Sequence, residues 1–464
     1  MFEAILVLYS INTIYKPQMK TLCSPPLRVA LQDNLHHLRS QLERADLDAL
    51  ARQTHFQQRS ARKVPALKLV LALVALAAET VLSLERVAAV IALAADTTYS
   101  KQAFHQRLGL KLELFLAQVA CALFTQISQS VQNQGWFKGF RRVLLHDSTV
   151  ETLPEHLAGA FPGPGNGRKR RYAALKLQFV CDLLHSQVLQ VGLSGFTRND
   201  QAASPDILKL IQPGDLIIRD LGYFVLKVLD QISLKGAFFL SRYRHDVLIF
   251  DGQTGRPLDL EDHLKPGQLF DHQVLLGTEK VPVRLVAQPV PEALANERRR
   301  KAKNNRDRRL NPSRRKLYLL SWNIFVTNVA RAVWCAKALQ PIYRLRWRVE
   351  IIFKAWKSHL GFRQLNCRTA DLLRLSVMTK LLFCIAVYRL SDALELMGDA
   401  QHHVSLLRLA RILGQCSCWF AIALLGISIT RWLDFYLRHH LFYEKRTDRK
   451  NFYELLLENH RGLT

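Results

Sequence analysis

The residues with the clearest chemical content lie in one run, Tyr343-Arg344-Leu345-Arg346-Trp347-Arg348-Val349-Glu350-Ile351-Ile352-Phe353-Lys354-Ala355-Trp356-Lys357. It contains no Pro or Gly and predicts a helix. At 100° per residue, Tyr343, Arg346, Glu350, Lys354 and Lys357 fall within an arc of about 80°. Ile351, Ile352 and Trp356 lie off that arc, where they can anchor the helix in a core. One face therefore presents a lone carboxylate among cations and a phenol. A carboxylate can hold a divalent metal, and cations and phenols are donors for phosphate oxygens. The same spacing also describes a solvated face with a favourable Glu350–Lys354 pair.

Two further carboxylates stand where strands are expected to end. Val143-Leu144-Leu145 reads as a short buried strand running into His146-Asp147-Ser148-Thr149, and Asp215-Leu216-Ile217-Ile218-Arg219 as a strand running into Asp220-Leu221-Gly222-Tyr223-Phe224. Between them, residues 173–182 alternate, with Leu175, Leu177, Phe179 and Cys181 on one face, and residues 187–195 pair with them as a hairpin across Leu184-His185-Ser186. A helix over 204–211, a helix over 224–233 and a strand over 237–241 complete the order. An Asp that ends a strand is most often only a turn former, so neither stretch carries the argument alone.

Together the pieces resemble a known family. The spacing Tyr-(2)-Arg-(3)-Glu-(6)-Lys over Tyr343, Arg346, Glu350 and Lys357, with "HDST" around Asp147 and "RDLGYF" around Asp220, is similar to the signature of DDE transposases of bacterial insertion sequences. The branch is the one named for its Tyr-Arg-Glu-Lys motif (the IS-four type). The resemblance implies an α/β fold with a ribonuclease H-like core, a β-rich insertion before the last catalytic residue, and flanking N- and C-terminal helical regions. The expected division is 1–135 (helical, binding DNA ends), 136–244 (core, first part), 245–330 (β-rich insertion with a basic run), 331–395 (core, second part) and 396–464 (C-terminal helical region).

The resemblance also implies catalytic and metal-ligating roles for Asp147, Asp220 and Glu350, holding two Mg²⁺ (or Mn²⁺) ions, with Asp147 bridging. It implies DNA contacts from Tyr343, Arg346, Lys354 and Lys357, and from Trp322 stacking on a flipped base, although a core-packing role suits Trp322 nearly as well. The expected activity is cutting and joining the ends of an insertion sequence by metal-dependent hydrolysis and strand transfer. The partners implied are double-stranded DNA, at element ends and target, and a second copy of the chain. A ribonuclease H-like nuclease without strand transfer, a DNA-binding regulator, and an inactive DNA-binding remnant share the same features.

The elements around the core fit a DNA partner. In 464 residues, Lys+Arg 65 exceed Asp+Glu 38, for a net charge of +27. That excess favours a polyanion. Residues 298–316 hold eleven Lys/Arg and one Asp, a density that contacts polyanion or stays solvated. Ser83–Leu93 and Ser100–Leu108, separated by a break at Ala94–Tyr99, read either as a helix-turn-helix or as an ordinary helical hairpin. Past Lys357, helices are expected over 370–393, 403–413, 419–425 and 430–457. Eight scattered cysteines without a CxxC pair indicate free thiols, a reducing cytoplasm and no zinc site. Glu3 argues against a signal peptide, Met19 is an expected translation start, and the runs 69–78 and 419–429 are too short to span a bilayer. The expected location is the cytoplasm, at the bacterial nucleoid.

Overall fold

The computed structural model describes residues 46–58, 64–77, 82–95, 97, 99–122, 135–165, 172–185, 187–304, 311–363, 365, 367–397, 402–415 and 443–445. The expected start at Met19, the basic stretch 168–171, part of the 298–316 run and the expected helix at 419–425 lie outside them. Strands β1 (Arg142–Leu153), β2 (Ala173–Asp182), β3 (Gln187–Gly195), β4 (Asp215–Arg219), β5 (Phe238–Arg242), β6 (Ile249–Asp251), β7 (Phe270–Leu276), β8 (Val281–Pro289) and β9 (Trp322–Thr327) form one sheet in the order β3-β2-β1-β4-β5-β9-β8-β7-β6. The β1/β4 and β4/β5 pairs are parallel and the others antiparallel. The order 3-2-1-4-5, with parallel pairs only around β4, is consistent with a ribonuclease H-like core.

Both faces of the sheet are covered, and alternation assigns side chains to them. Val143, Leu145, Leu177, Phe179, Leu216 and Ile218 face one core. It is filled by helices α1 (Leu47–Gln53), α2 (Ala66–Ala75), α3 (Leu84–Ala95), α4 (Lys101–His105) and α5 (Leu110–Ala122) from the N-terminal part. Helices α12 (Trp347–His359), α13 (Ala370–Met397) and α14 (Leu406–Gln415) fill it from the C-terminal part. Leu144, Val180 and Ile217 face the second core, built on α7 (Leu226–Leu234) and the inner residues of β7–β9. A strand buried on both faces needs no solvent side, which is why β4 reads Asp-Leu-Ile-Ile-Arg and is buried throughout. Its start is pinned by a bidentate pair, Arg142 Nε to Asp215 Oδ1 at 2.9 Å and Nη2 to Oδ2 at 2.5 Å, across the first register position of the β1/β4 ladder.

Several expectations need correction. β1 does not end at Asp147; it continues to Leu153, paired with β2 all the way, while its ladder with β4 stops at His146↔Arg219. Asp147 is thus the first residue past the point where β1 and β4 part. The expected helix over 204–211 is a short α6 (Asp200–Ala203) followed by a 3-10 turn at Ser204–Lys209. Segment 245–330 carries, besides its strands, three helices: α8 (Leu260–His263), α9 (Glu292–Lys303) and α10 (Arg314–Leu319). Much of the described basic run is therefore helical. Residues 402–404 and 443–445 pair as antiparallel strands β10 and β11, although 403–404 and 443–445 are expected in helices. In the N-terminal part Ser100 caps α4, its side chain accepting from Ala103 N, but that helix is only five residues long.

The helix expected over 343–357 is broken in two. Helix α11 (Leu339–Arg344) ends and α12 begins across Leu345-Arg346, where backbone bonds run i to i+3, as from Arg346 N to Tyr343 O at 3.2 Å and from Val349 N to Arg346 O at 3.1 Å. In such a turn side chains at i and i+3 eclipse, so Tyr343 stays beside Arg346, whose guanidinium lies 5.9 Å from its ring centre. Helix α12 itself lies on the β1–β2 face. Trp356 is 2% exposed and meets Phe179 edge-on at 5.2 Å, Phe353 at 5.4 Å and Phe362 at 5.6 Å. Truncating a buried Trp in such a cluster costs about 3–5 kcal/mol. Trp356→Ala is expected to lower the urea midpoint accordingly and to loosen the end of α12 near Glu350. An unchanged midpoint would show that α12 does not depend on this contact.

Candidate active site

Three carboxylates from separate parts of the chain meet around one side chain. Arg346 Nη1 lies 3.0 Å from Asp147 Oδ2, its Nη2 2.5 Å from Glu350 Oε1, and its Nε 3.7 Å from Asp220 Oδ1. A guanidinium is only a few ångströms across, so the three carboxyl groups share one small volume. Each arrives by a different device. Asp147 is delivered by β1 where the ladder with β4 ends. Asp220 follows the last residue of β4 and opens a 3-10 turn, Leu221–Tyr223. Glu350 projects from the first turn of α12, one turn past Arg346.

Tyr343 reaches the same place from α11. Its hydroxyl lies 3.5 Å from Asp220 Oδ1, its ring packs against Phe325 at 5.4 Å, and the Arg346 guanidinium sits 5.9 Å from the ring centre. Lys357 does not face the carboxylates. Its ammonium is 2.6 Å from Glu151 Oε1 and donates to Val150 O at 2.7 Å, which ties α12 to the far half of β1. Lys354 is exposed on α12. Trp322 is 4% exposed, with its ring 4.9 Å from Tyr318, and packs in the second core. A different tryptophan, Trp347, stands 54% exposed directly after Arg346. An aromatic residue inside the charged run was the available signal for it.

Burial pushes the Asp147 carboxyl up to about 6, with the Asp220 and Glu350 charges adding, while Arg346 and the Ser148 N–H pull the other way. Burial disfavours the Arg346 charge, but Tyr343 and the three carboxylates outweigh it and hold its pKa above the ordinary value. Behind Asp147, burial and the Arg219 charge push His146 down to about 3, so its imidazole is neutral. Among the described residues, no three His, Cys, Asp or Glu side chains are already arranged as a metal cage. A cation, the guanidinium, occupies the centre instead. The chemistry of the donor set nonetheless fits a hard divalent ion, since the three acidic side chains gathered there offer carboxylate oxygens.

A second set of polar groups was not recognised from sequence. Lys176, Gln178, Arg219, Ser204 and His146 are all buried on the sheet face opposite α12. Lys176 and Gln178 alternate with Leu175, Leu177 and Phe179, a pattern that reads as a half-solvated strand, whereas β2 is buried throughout. Arg284, 2% exposed, is likewise buried. It makes a bidentate pair with Asp271 at 2.8 Å and donates to Trp334 O at 2.8 Å, fixing the loop that leads to α11.

The pKa of Asp147 sets a pH dependence. Its folded value, about 6, lies above the ordinary 3.8. The proton is therefore bound more tightly in the folded chain, and this contribution to stability is full below about pH 4 and lost as pH rises through 6. Asp147→Asn removes the ionisation. In chelator, the variant is expected to be more stable than the parent at pH 7.5, by up to about 2–3 kcal/mol, and to show a flatter stability profile between pH 4 and 6. Parallel profiles would show that Asp147 ionises as freely folded as unfolded.

The chain is 33% identical over 240 residues to the "Transposase for insertion sequence element IS231B" of Bacillus thuringiensis subsp. berliner, covering 47% of this chain and 50% of the relative. It is 30% identical over 288 residues to that of IS231D from Bacillus thuringiensis subsp. finitimus, covering 57% and 60%. It is 25% identical over 251 residues to that of IS1151 from Clostridium perfringens, covering 49% and 52%. The matches thus span about half to three fifths of the length of these curated relatives. The stretch from β1 to the middle of α13, residues 138–386 and more than half of the chain, matches the model of the transposase DDE domain, and the chain belongs to that family.

Proposed function

We propose that the protein is a DNA transposase that cuts and joins the ends of an insertion sequence by metal-dependent phosphodiester hydrolysis and strand transfer. The observation that carries this reading is the meeting of Asp147, Asp220 and Glu350, 203 positions apart at the extremes, on the single guanidinium of Arg346. The relatives' names point the same way. Segment 245–330 is then the β-rich insertion, here continuous with the core sheet through β9.

In this reading the three carboxylates would hold two Mg²⁺ or Mn²⁺ ions. When bound, such ions supply activation of the attacking hydroxyl and stabilisation of the leaving oxygen. The chain's own groups do the rest. Arg346 keeps the carboxylates together in the free protein and turns its fork to the phosphate beside the cut, a bidentate acceptor of the same kind. Tyr343 orients Asp220 and offers its hydroxyl to a phosphate oxygen. Lys354, exposed one turn beyond Glu350, meets the approaching backbone. Lys357 holds α12 on β1 so that Glu350 keeps its place. The N-terminal helices bind the element end, the basic run on α9 and α10 contacts flanking backbone, and two copies act together on DNA at the nucleoid.

Asp147→Asn, Asp220→Asn and Glu350→Gln are each expected to abolish cleavage of an end-bearing duplex while leaving its binding largely intact. The parent protein with Mg²⁺ should also join the freed 3′ end to target DNA. Cleavage retained in one variant would remove that residue from the triad, and nicking without joining would make the protein a hydrolase.

The charge excess gives a second expectation. Each phosphate contact contributes about 0.9 to the slope of log K against log salt. End binding is expected to give a slope steeper than about three, reduced by Ala substitutions at Arg300, Lys301 and Lys303. A shallower slope would leave the basic run as solubilising surface.

A further inference from the structure

The β1/β4 ladder ends at His146↔Arg219, immediately before the two aspartates. Past that pair, β1 and the Asp220–Tyr223 turn need another link if Asp147 and Asp220 are to keep a fixed separation. A set of buried and half-buried polar side chains lies in the right place, on the sheet face opposite α12. Asp200, at the start of α6, accepts from Ser148 Oγ at 2.8 Å and lies 2.7 Å from Lys176 Nζ. Ser148 is the residue after Asp147, and its N–H donates to Asp147 Oδ1 at 2.8 Å. On its other side, Asp200 abuts the turn: a Cβ added to Gly222 would come 3.0 Å from Asp200 Oδ2. The turn is closed from below by Tyr223, whose hydroxyl donates to Gln178 Oε1 at 2.5 Å and whose carbonyl accepts from Ser204 Oγ at 2.8 Å. Arg219 in turn donates to Ser204 O at 3.1 Å and Oγ at 2.9 Å.

This arrangement is costly where it stands. Lys176 is 5% exposed and Gln178 3%, in a strand whose other residues are packed on both sides. Buried charges and amides are tolerated only when their partners are in place, and a satisfied network then fixes geometry tightly. An apolar layer would serve stability as well or better. What the polar layer adds is a rigid, directional connection between one aspartate-bearing strand and one aspartate-bearing turn. Burial disfavours the Asp200 charge, but Lys176 and Ser148 outweigh it and hold its pKa below the usual carboxylate range, so it stays an acceptor.

We propose that Asp200 is a positioning residue of the active site, which acts through Ser148 and the Gly222 turn to set the separation of Asp147 and Asp220 and hence the affinity for divalent metal. The inference rests on the transposase reading of those two aspartates, and its test separates the two. Mn²⁺ is titrated into the full, DNA-free chain and followed by electron paramagnetic resonance, alongside thermal unfolding of each variant in chelator. Asp200→Asn is expected to weaken Mn²⁺ binding about tenfold or more, as loss of a group supporting a ligand does, and Ser148→Ala to weaken it in the same direction. Combined with Lys176→Met, Asp200→Asn leaves no uncompensated buried charge, so the measurement stays readable if the single variant fails to fold. Asp147→Asn is the control. If Asp147→Asn abolishes Mn²⁺ binding while the Asp200 variants, folded, bind within twofold of the parent, Asp200 is merely structural and the proposal is overturned while the site stands. If Asp147→Asn itself binds Mn²⁺ like the parent, the metal site is misassigned and the proposal falls with it.

Discussion

Three carboxylates crowded into one volume repel one another, and the fold tolerates their approach because the Arg346 guanidinium stands between them. At 3.0, 2.5 and 3.7 Å it interacts with all three. A lysine gathers its three donors on one atom, whereas a guanidinium spreads five over three nitrogens, and here Nη1, Nη2 and Nε each face a different carboxylate. The arginine stands at the start of the same helix, one turn before Glu350, and therefore arrives with it. Docking α12 on the sheet brings one negative charge and its neutralising cation together. Asp147, whose burial alone would favour its neutral form, is the member of the set that most needs this partner.

The sheet makes the cleft by letting two strands diverge. Parallel pairing between β1 and β4 begins under the Arg142–Asp215 ion pair and ends at His146↔Arg219. β1 then continues along β2 while the chain after β4 turns off into the Asp220–Tyr223 turn. A divergence of this kind leaves backbone groups and side chains at the fork unsupported by the ladder. Here α12 supplies one cover, through Phe179, Trp356 and the Lys357–Glu151 tie, and the polar layer around Asp200 supplies the other. The two supports approach the fork from opposite faces of the sheet.

Most of this core was legible because its signals are local. β3 and β4 start and end where alternation and the apolar run put them, and the hairpin at 184–186 follows from two strands in succession. Asp147, Asp220 and Glu350 stand out through the motifs around them and their resemblance to a known signature, since an Asp that ends a strand is by itself most often only a turn former. What was not legible depended on tertiary context. The break at Leu345-Arg346 has no Pro or Gly to announce it; it arises from i to i+3 bonds that only packing selects. The extension of β1 past Asp147 is held by its pairing with β2 and suits its β-branched residues Thr149, Val150 and Thr152. Trp322 could pack or stack on sequence grounds, and its burial against Tyr318 is a tertiary contact that local pattern does not show. The pairing of residues 402–404 with 443–445 is a contact between distant segments, each of which reads as helical by itself.

The polar layer is the instructive case, because the sequence did show it and the usual rule misread it. Polar residues at alternate positions of a strand normally mean that one face is wet. In β2 they mean that one face is buried against other polar groups. The two cases differ only in what the strand is packed against, which local pattern cannot express. The distinction matters for function, since a wet face can be substituted freely, whereas Lys176 and Gln178 are each committed to a specific partner, Asp200 and Tyr223. The residues that gather the carboxylates therefore fall into two groups. Those around Arg346 are charged, partly exposed and conspicuous. Those beneath Asp147 are buried or half-buried and look ordinary, and they set the geometry that the conspicuous residues use.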